Sequence, residues 1–531
     1  MSAHRLVMKD AFWQIIWRVA SALCGFIVLK IISPYLWPLW YGNYATILKF
    51  FAYRSAFADF GLYVIAVKKL WVLKSKLEGL MKEDNSNRKK IHSAKNYLEK
   101  MYGQFVWTRV VIMFVVYFTA LILAYFLPAY TSNVYLVWGL PIGMVFSASF
   151  MMSGIVQLPL QLFWKMKKLS IALILARFVQ IAILAVTVFV LFPHMTFDGS
   201  SRSVVAFSLV MLSVLASGIT QWLYVWLRGK KYLQLKVIFD FPFIKETLKN
   251  NWQYGLSYFL SSFHTLIVLF FLSVYFPTVK WFTYTWLWWL ALALLEIFLI
   301  VPSALWNSML HKISGYSLFH KRKSLGNFLS LIFWIGGVVF LNFLLFNKQI
   351  ILLVSGPEFL WTSLAHPGSN IILPFLWVVL WMSFVKQVFN YVFVATEKQN
   401  VLLWINAIWV LIGLFVALQF SFAGVTVWLW LIPKYGIQWG IVVQILLELL
   451  FMSGALLMAL RHKVFPKIPR KHILASMWVF GIFALLWLKF IPSDMSRVVF
   501  FAIIIIFNLS LLAISLPIIK KTARGLTSGD V

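Results

Sequence analysis

Residues 88–128 read RKKIHSAKNYLEKMYGQFVWTRVVIMFVVYFTALILAYFLP: a basic segment, then an apolar run broken by one charge, Arg109. A hydrocarbon layer about 30 Å thick is crossed by roughly 20 helical residues. The cytoplasmic flanks of such helices collect Lys and Arg. The stretch therefore reads as a membrane span entered from a basic cytoplasmic side.

The same alternation recurs along the whole chain. Spans are predicted at about 11–33, 41–66, 104–128, 133–158, 169–194, 202–227, 251–276, 280–303, 327–347, 370–395, 400–421, 435–460, 472–492 and 496–519. With the N-terminus inside, alternate connections hold about 34 Lys and Arg on one side and about six on the other. That asymmetry puts both termini in the cytoplasm. The expected fold class is thus an all-α polytopic membrane protein of about fourteen spans.

Composition agrees. Of 531 residues, 62% are hydrophobic and 12% charged, and the mean hydropathy is +0.88. A soluble chain of this length needs far more polar surface. A net charge of +32 would suggest nucleic acid in a soluble protein. Here the cations sit in short loops beside spans, so topology accounts for them and nucleic-acid binding is not expected. The single cysteine, Cys24, lies inside an apolar stretch, which excludes a disulfide framework or a cysteine metal site. The first apolar run is full length and lacks a small-residue cleavage site, so it reads as a retained span rather than a signal peptide.

Three segments follow from the charge pattern. The basic loop 228–250 divides six spans from eight. It separates an N-terminal bundle, 1–235, from a C-terminal bundle, 236–465, with the last two spans and the tail in 466–531. The basic cytoplasmic loop 67–103 is helix-prone, interrupted by Glu83-Asp84-Asn85-Ser86-Asn87, and is predicted to lie on the anionic membrane surface. No phosphate-binding loop, HExxH, GxSxG or paired carboxylates stand in an aqueous loop. Neither ATP hydrolysis nor covalent catalysis is expected, and no cofactor.

Ionisable residues inside spans are costly and face a cavity or a partner. They are Arg18, Lys49, Arg54, Asp59, Arg109, Arg177, Glu296, Lys386 and Glu448, with His264 as a possible titrating group. Arg18 and Asp59 lie at matching depths in two antiparallel spans and are placed to pair across that hairpin. Arg54, near mid-membrane and without a partner in its own helix, is the leading candidate for an anion, because the planar guanidinium suits phosphate oxygens. The competing reading pairs it with Glu296 or Glu448. Asp59, His264, Glu296, Lys386 and Glu448 are candidates for ion coupling or for polar cavity lining. Lys49, Arg109 and Arg177 are read as structural, pairing or reaching toward the interface.

Local patterns add a resemblance. Tyr41-Gly42-Asn43-Tyr44 precedes Phe57-Ala58-Asp59-Phe60-Gly61-Leu62. Val301-Pro302-Ser303-Ala304-Leu305 closes the eighth span. Ile351-Leu352-Leu353-Val354-Ser355-Gly356-Pro357-Glu358-Phe359 forms an outer loop. Ala395-Thr396-Glu397-Lys398-Gln399-Asn400 and Ile432-Pro433-Lys434-Tyr435-Gly436-Ile437-Gln438-Trp439-Gly440 follow in order. Over essentially the whole chain this order resembles the polysaccharide-flippase branch of the multidrug/oligosaccharidyl-lipid/polysaccharide exporter superfamily.

The resemblance implies two pseudo-symmetric six-helix bundles around a central cavity, plus two C-terminal helices. It implies an inner-membrane flippase moving an undecaprenyl-diphosphate-linked oligosaccharide from the cytoplasmic to the periplasmic leaflet. O-antigen or capsule synthesis is the implied context, with coupling to an H+ or Na+ gradient. A polysaccharide polymerase and a chain-length regulator are the implied partners. Arg18 and Arg54 resemble the cavity arginines of related lipid II flippases by placement. His264 and Glu296 depart from the pattern, since the seventh and eighth spans here hold no arginine. A drug or organic-cation antiporter of the same superfamily is the main alternative; it would call for a carboxylate-rich cavity and usually twelve spans. A membrane polymerase or ligase would call for a large charged outer loop.

Overall fold

The computed structural model describes residues 3–83, 88–126, 128–163, 165–236, 238–264, 290–291, 294–295, 318–354, 360, 369–395, 398–417, 421–422, 425–426, 437–462, 474, 477–482 and 503–511. The chain divides into two compact units, one formed by Met8–Phe263 and the other by Met1–Val7 with His264–Val531.

The first unit begins with α1 (Ala3–Asp59), α2 (Leu62–Glu83) and α3 (Arg88–Tyr125). Next come the short α4 (Pro128–Thr131), α5 (Val134–Val156), α6 (Leu158–Leu162) and α7 (Met166–Ala185), which runs into a π-helical turn, Val186–Leu191. α8 (Ser201–Gly229) and α9 (Phe241–His264) complete it. The boundary between the two units falls at the end of α9.

In the second unit the described helices are α10 (Leu318–Val354), α11 (Ser369–Ala395), α12 (Gln399–Ala417) and α13 (Ile437–Arg461). A short antiparallel pair, Ser421–Phe422 with Val425–Thr426, follows α12. Six helices among the described residues are long and apolar enough to cross a membrane: Arg88–Tyr125, Val134–Leu162, Met166–Leu191, Ser201–Gly229, Leu325–Val354 and Gln444–Arg461. The chain is an all-α polytopic membrane protein.

Two expectations need correcting. The predicted outer turn between the spans 11–33 and 41–66 is absent, because α1 is one uninterrupted helix of 57 residues that carries Pro34 and Pro38 within it. Each proline removes one backbone donor. A turn in apolar surroundings would strand several more polar groups, and continuing the helix satisfies them. Arg18 and Asp59 therefore lie on one helix, separated along its axis by roughly 60 Å at 1.5 Å per residue if it is straight. They do not form the expected hairpin pair.

The second correction concerns the loop 67–103. It consists of the end of α2 and the start of α3, and α3 continues unbroken into its span. Leu70 and Leu77 of α2 are buried in one cluster with Leu98, Tyr102 and Phe105 of α3. Burying those apolar stripes against each other removes them from water, so the segment stands up from the span instead of lying flat on lipid.

Within the first unit, α5 carries Gly139 and Gly143 one turn apart. A β-carbon at either position would come within about 2.5 Å of the Ile47 side chain. The glycines form a small-xxx-small groove that lets α1 approach α5 closely, the usual means of helix association where no hydrophobic effect acts. Asn133 caps α5 by accepting from the Tyr135 N–H at 3.1 Å, and its amide donates to Asn43 Oδ1 at 3.2 Å. Phe51 meets Tyr117 edge-on with centroids 5.8 Å apart.

The second unit has its own core around Phe328, Phe389 and Phe393. Asn342 of α10 and Asn508 exchange amide hydrogen bonds at 3.0 and 2.9 Å, and Phe346 stands edge-on to Phe507. Residues from the last predicted span are thereby fastened to α10. Cys24 is buried, as expected of a packing residue.

Candidate functional site

The charges within apolar stretches of the first unit lie on α1, α3 and α7. α1 ends at Asp59, where the chain breaks through two consecutive left-handed residues, Phe60 (φ 44°) and Gly61 (φ 69°). Glycine adopts that region freely, whereas phenylalanine there is strained. The break turns Asp59 toward α3, where its Oδ1 lies 2.7 Å from Arg109 Nη2, with side chains 15% and 5% exposed.

Arg109 Nη2 also donates toward Met151 Sδ at 3.5 Å. Its guanidinium covers Gly154, where a β-carbon would sit 3.6 to 3.9 Å from it. Arg109 Nε and Nη1 have no hydrogen-bond partner. Close by on the same helices, Tyr117 and Ser147 share a hydrogen bond at 2.8 Å. Asp59 is thus held by Arg109, and its charge is neutralised where it stands.

Arg54 is different. Its Nη1 donates to the Phe50 carbonyl at 2.7 Å, and its Cζ lies 3.4 Å from the centre of the Phe50 ring. Phe50 in turn meets Tyr130 edge-on at 5.4 Å. Among the described residues no carboxylate lies in ion-pair range of Arg54. A half-buried guanidinium held by one carbonyl and one ring face keeps most of its donors and all of its charge for another partner.

In the second unit, Lys386 of α11 and Glu448 of α13 face each other at 3.6 Å and are almost wholly buried. Ser383 donates to Glu448 Oε1 at 2.7 Å, and Lys386 Nζ lies 4.8 Å over the Phe451 ring. Gln444, one turn before Glu448, is fully buried with neither amide atom hydrogen-bonded. Glu448 is therefore engaged by Lys386.

Of the remaining candidates, Arg177 donates to Gln180 Oε1 at 2.8 Å within its own helix. Lys49 is half-buried on α1. The side chains of Arg18 and His264 and the whole of Glu296 lie outside the described residues. Sequence reasoning missed the Asp59–Arg109 pair. The available signal was depth, since both residues lie about five to seven positions in from the cytoplasmic ends of consecutive predicted spans.

The profile of the polysaccharide biosynthesis protein family matches residues 7–305, more than half of the chain. The chain belongs to this family. No curated protein sequence matches it. Among solved structures, it is similar to the lipid II flippase MurJ in an inward closed conformation, at 16% identity and a TM-score of 0.61, covering 94% of this chain and 98% of that one. It is also similar to a MATE protein in a straight conformation, at 13% identity and a TM-score of 0.54, covering 87% and 96%. A third likeness is to the eukaryotic MATE transporter AtDTX14, at 13% identity and a TM-score of 0.51, covering 87% and 100%. Identities this low speak to the fold alone. Family and fold together make the chain a helical membrane protein of the polysaccharide biosynthesis family.

Proposed function

We propose that the protein flips an undecaprenyl-diphosphate-linked oligosaccharide repeat unit from the cytoplasmic to the periplasmic leaflet of the inner membrane, for surface polysaccharide synthesis. The observation that carries this reading is the state of Arg54: half-buried and held by Phe50, with the nearby carboxylate Asp59 already engaged by Arg109. A diphosphate carries roughly two negative charges, and leaving a bare anion in hydrocarbon costs many kcal/mol. An uncompensated guanidinium replaces part of the lost hydration with charge-assisted hydrogen bonds. Membership of a polysaccharide biosynthesis family and a transporter fold support the same reading.

In this proposal Arg54 holds the headgroup phosphates in a hydrated chamber, and the polyprenyl tail stays in lipid; Arg18, far along the same helix, is not part of that grip. Alternating access carries the headgroup and sugars across. An H+ or Na+ gradient supplies the drive, with Asp59, His264, Glu296, Lys386 and Glu448 as the residues to test for coupling. Asp59 and Glu448 would have to leave Arg109 and Lys386 to take up a cation. An organic-cation antiporter is disfavoured because the intramembrane carboxylates of the described residues are neutralised by Arg109 and Lys386 while Arg54 is not.

The test is headgroup accessibility of a lipid-linked oligosaccharide in proteoliposomes, comparing the intact protein with Arg54→Ala. Transfer that is lost in the variant supports the assignment; equal rates would remove Arg54 from the mechanism.

A further inference from the structure

The cytoplasmic half of α3 carries a basin of about 550 Å3 lined by Arg88, Lys89, His92, Ser93 and Asn96. These positions recur at one, four, five and eight residues from the first, so they share one face of the helix. Each of these five side chains offers hydrogen-bond donors, and none of the five is acidic. Among the described residues no carboxylate lies in ion-pair range of Arg88, Lys89 or His92.

Among the described residues, Glu78, Glu99 and Asp240 are committed elsewhere. Glu78 holds Lys74 at 3.0 Å. Glu99 holds Lys236 at 3.4 Å and accepts from the Gln234 N–H at 3.4 Å. Asp240 accepts from Gln104 at 2.7 Å and from the Phe243 N–H at 3.1 Å.

Glu99 also sets up the basin indirectly. The Lys236 ammonium that it holds donates to Asn96 Oδ1 at 2.8 Å. With its oxygen fixed toward Lys236, the Asn96 amide has only its N–H donors left to offer. Guanidinium, ammonium, imidazole, hydroxyl and an oriented amide on one face form a donor set for an anion with several acceptor oxygens.

Position narrows the source. His92 lies roughly 18 Å along the α3 axis from Gln104, where the predicted span begins. The headgroup layer is only about 5 to 8 Å deep on each side of the hydrocarbon. The basin stands clear of it, facing the cytoplasm.

We propose that this basin is a binding site for a phosphate- or diphosphate-bearing ligand presented from the cytoplasm. It shares no residue with the Arg54 site and does not depend on the transport reading.

The experiment uses the full chain in neutral phosphatidylcholine nanodiscs, titrated calorimetrically with pyrophosphate. The expected result is saturable binding that weakens at least tenfold in Arg88→Gln/Lys89→Gln and several-fold in Asn96→Leu. Binding should persist in Arg54→Ala and in Lys230→Gln/Lys231→Gln, which removes equal charge from an exposed site outside the basin. A parallel arm follows retention of phosphatidic acid through purification. If that retention, and not pyrophosphate binding, depends on Arg88 and Lys89, the ligand is a membrane lipid and the cytoplasmic source is overturned. Absence of basin-dependent binding in both arms, or an equal loss in the Lys230/Lys231 variant, overturns the proposal.

Discussion

Asp59 at the end of α1 and Arg109 on α3 form a buried ion pair at 2.7 Å, directly beside the left-handed break at Phe60 and Gly61. On the far side of the break the Phe60 ring fills the space over Gly255 of α9. The end of α1 is therefore held by charge on one side and by close packing on the other. The pair occupies Arg109, whereas Arg54 meets only the Phe50 carbonyl and ring.

Removing one partner of such a pair strands the other in a low-dielectric interior, at a cost of about 3–5 kcal/mol. Asp59→Asn should lower thermal stability in detergent by an amount of that order. Asp59→Asn/Arg109→Gln should recover much of the loss, because no bare charge remains. Additive effects in this double-mutant cycle would show that the two side chains do not interact.

Arg54→Lys keeps the charge but replaces a planar fork with a point charge. If Arg54 grips phosphate through more than one N–H, transfer in proteoliposomes should fall in Arg54→Lys, though less than in Arg54→Ala. A lysine variant that matches the intact protein would reduce the role of Arg54 to electrostatic attraction.

Gly143→Val places branched carbons where Ile47 already sits. Overpacking of this kind costs about 1–3 kcal/mol, so the melting temperature should drop. Combining it with Ile47→Ala should restore part of the stability, since the truncated side chain vacates the groove. No recovery would mean that α1 and α5 do not meet there.

Just beyond the C-terminal end of α13, Lys398 Nζ and His462 Nδ1 lie 3.0 Å apart. Local desolvation, followed by the positive charges of Lys398 and Arg461, holds the His462 pKa below its ordinary 6.5. A histidine depressed in the folded state contributes stability above its unfolded pKa, and that contribution is lost as pH falls through the folded value. Lys398→Gln should raise the His462 midpoint toward 6.5 in an NMR titration. An unmoved midpoint would rule Lys398 out as a cause.

Span placement was legible because a bilayer imposes a length and a composition that any apolar run of about 20 residues must meet. The helices Arg88–Tyr125, Val134–Leu162 and Ser201–Gly229 each contain most of a predicted span. Failure came at 34–40, where Ser33-Pro34 and Trp37-Pro38 carry the usual marks of a turn and the helix continues regardless. Local propensity is a weak prior there, outweighed by the need to satisfy backbone groups away from water. In 67–103 the charges point to a lipid surface, whereas Leu70 and Leu77 of α2 and Leu98 of α3 bury each other and set the packing.

The amino-acid order alone determined that this chain is a polytopic helical membrane protein and which ionisable residues interrupt its apolar stretches. Hydropathy and loop charge act over short stretches and need no partner to be read. Tertiary structure alone decided what those ionisable residues do. Asp59 turns to Arg109, Glu448 to Lys386, and Arg54 to a carbonyl and a ring, because pairing depends on distances of 3 to 4 Å between side chains on different helices. Such distances follow from rotation, kinks and close approach, which a run of apolar letters does not encode.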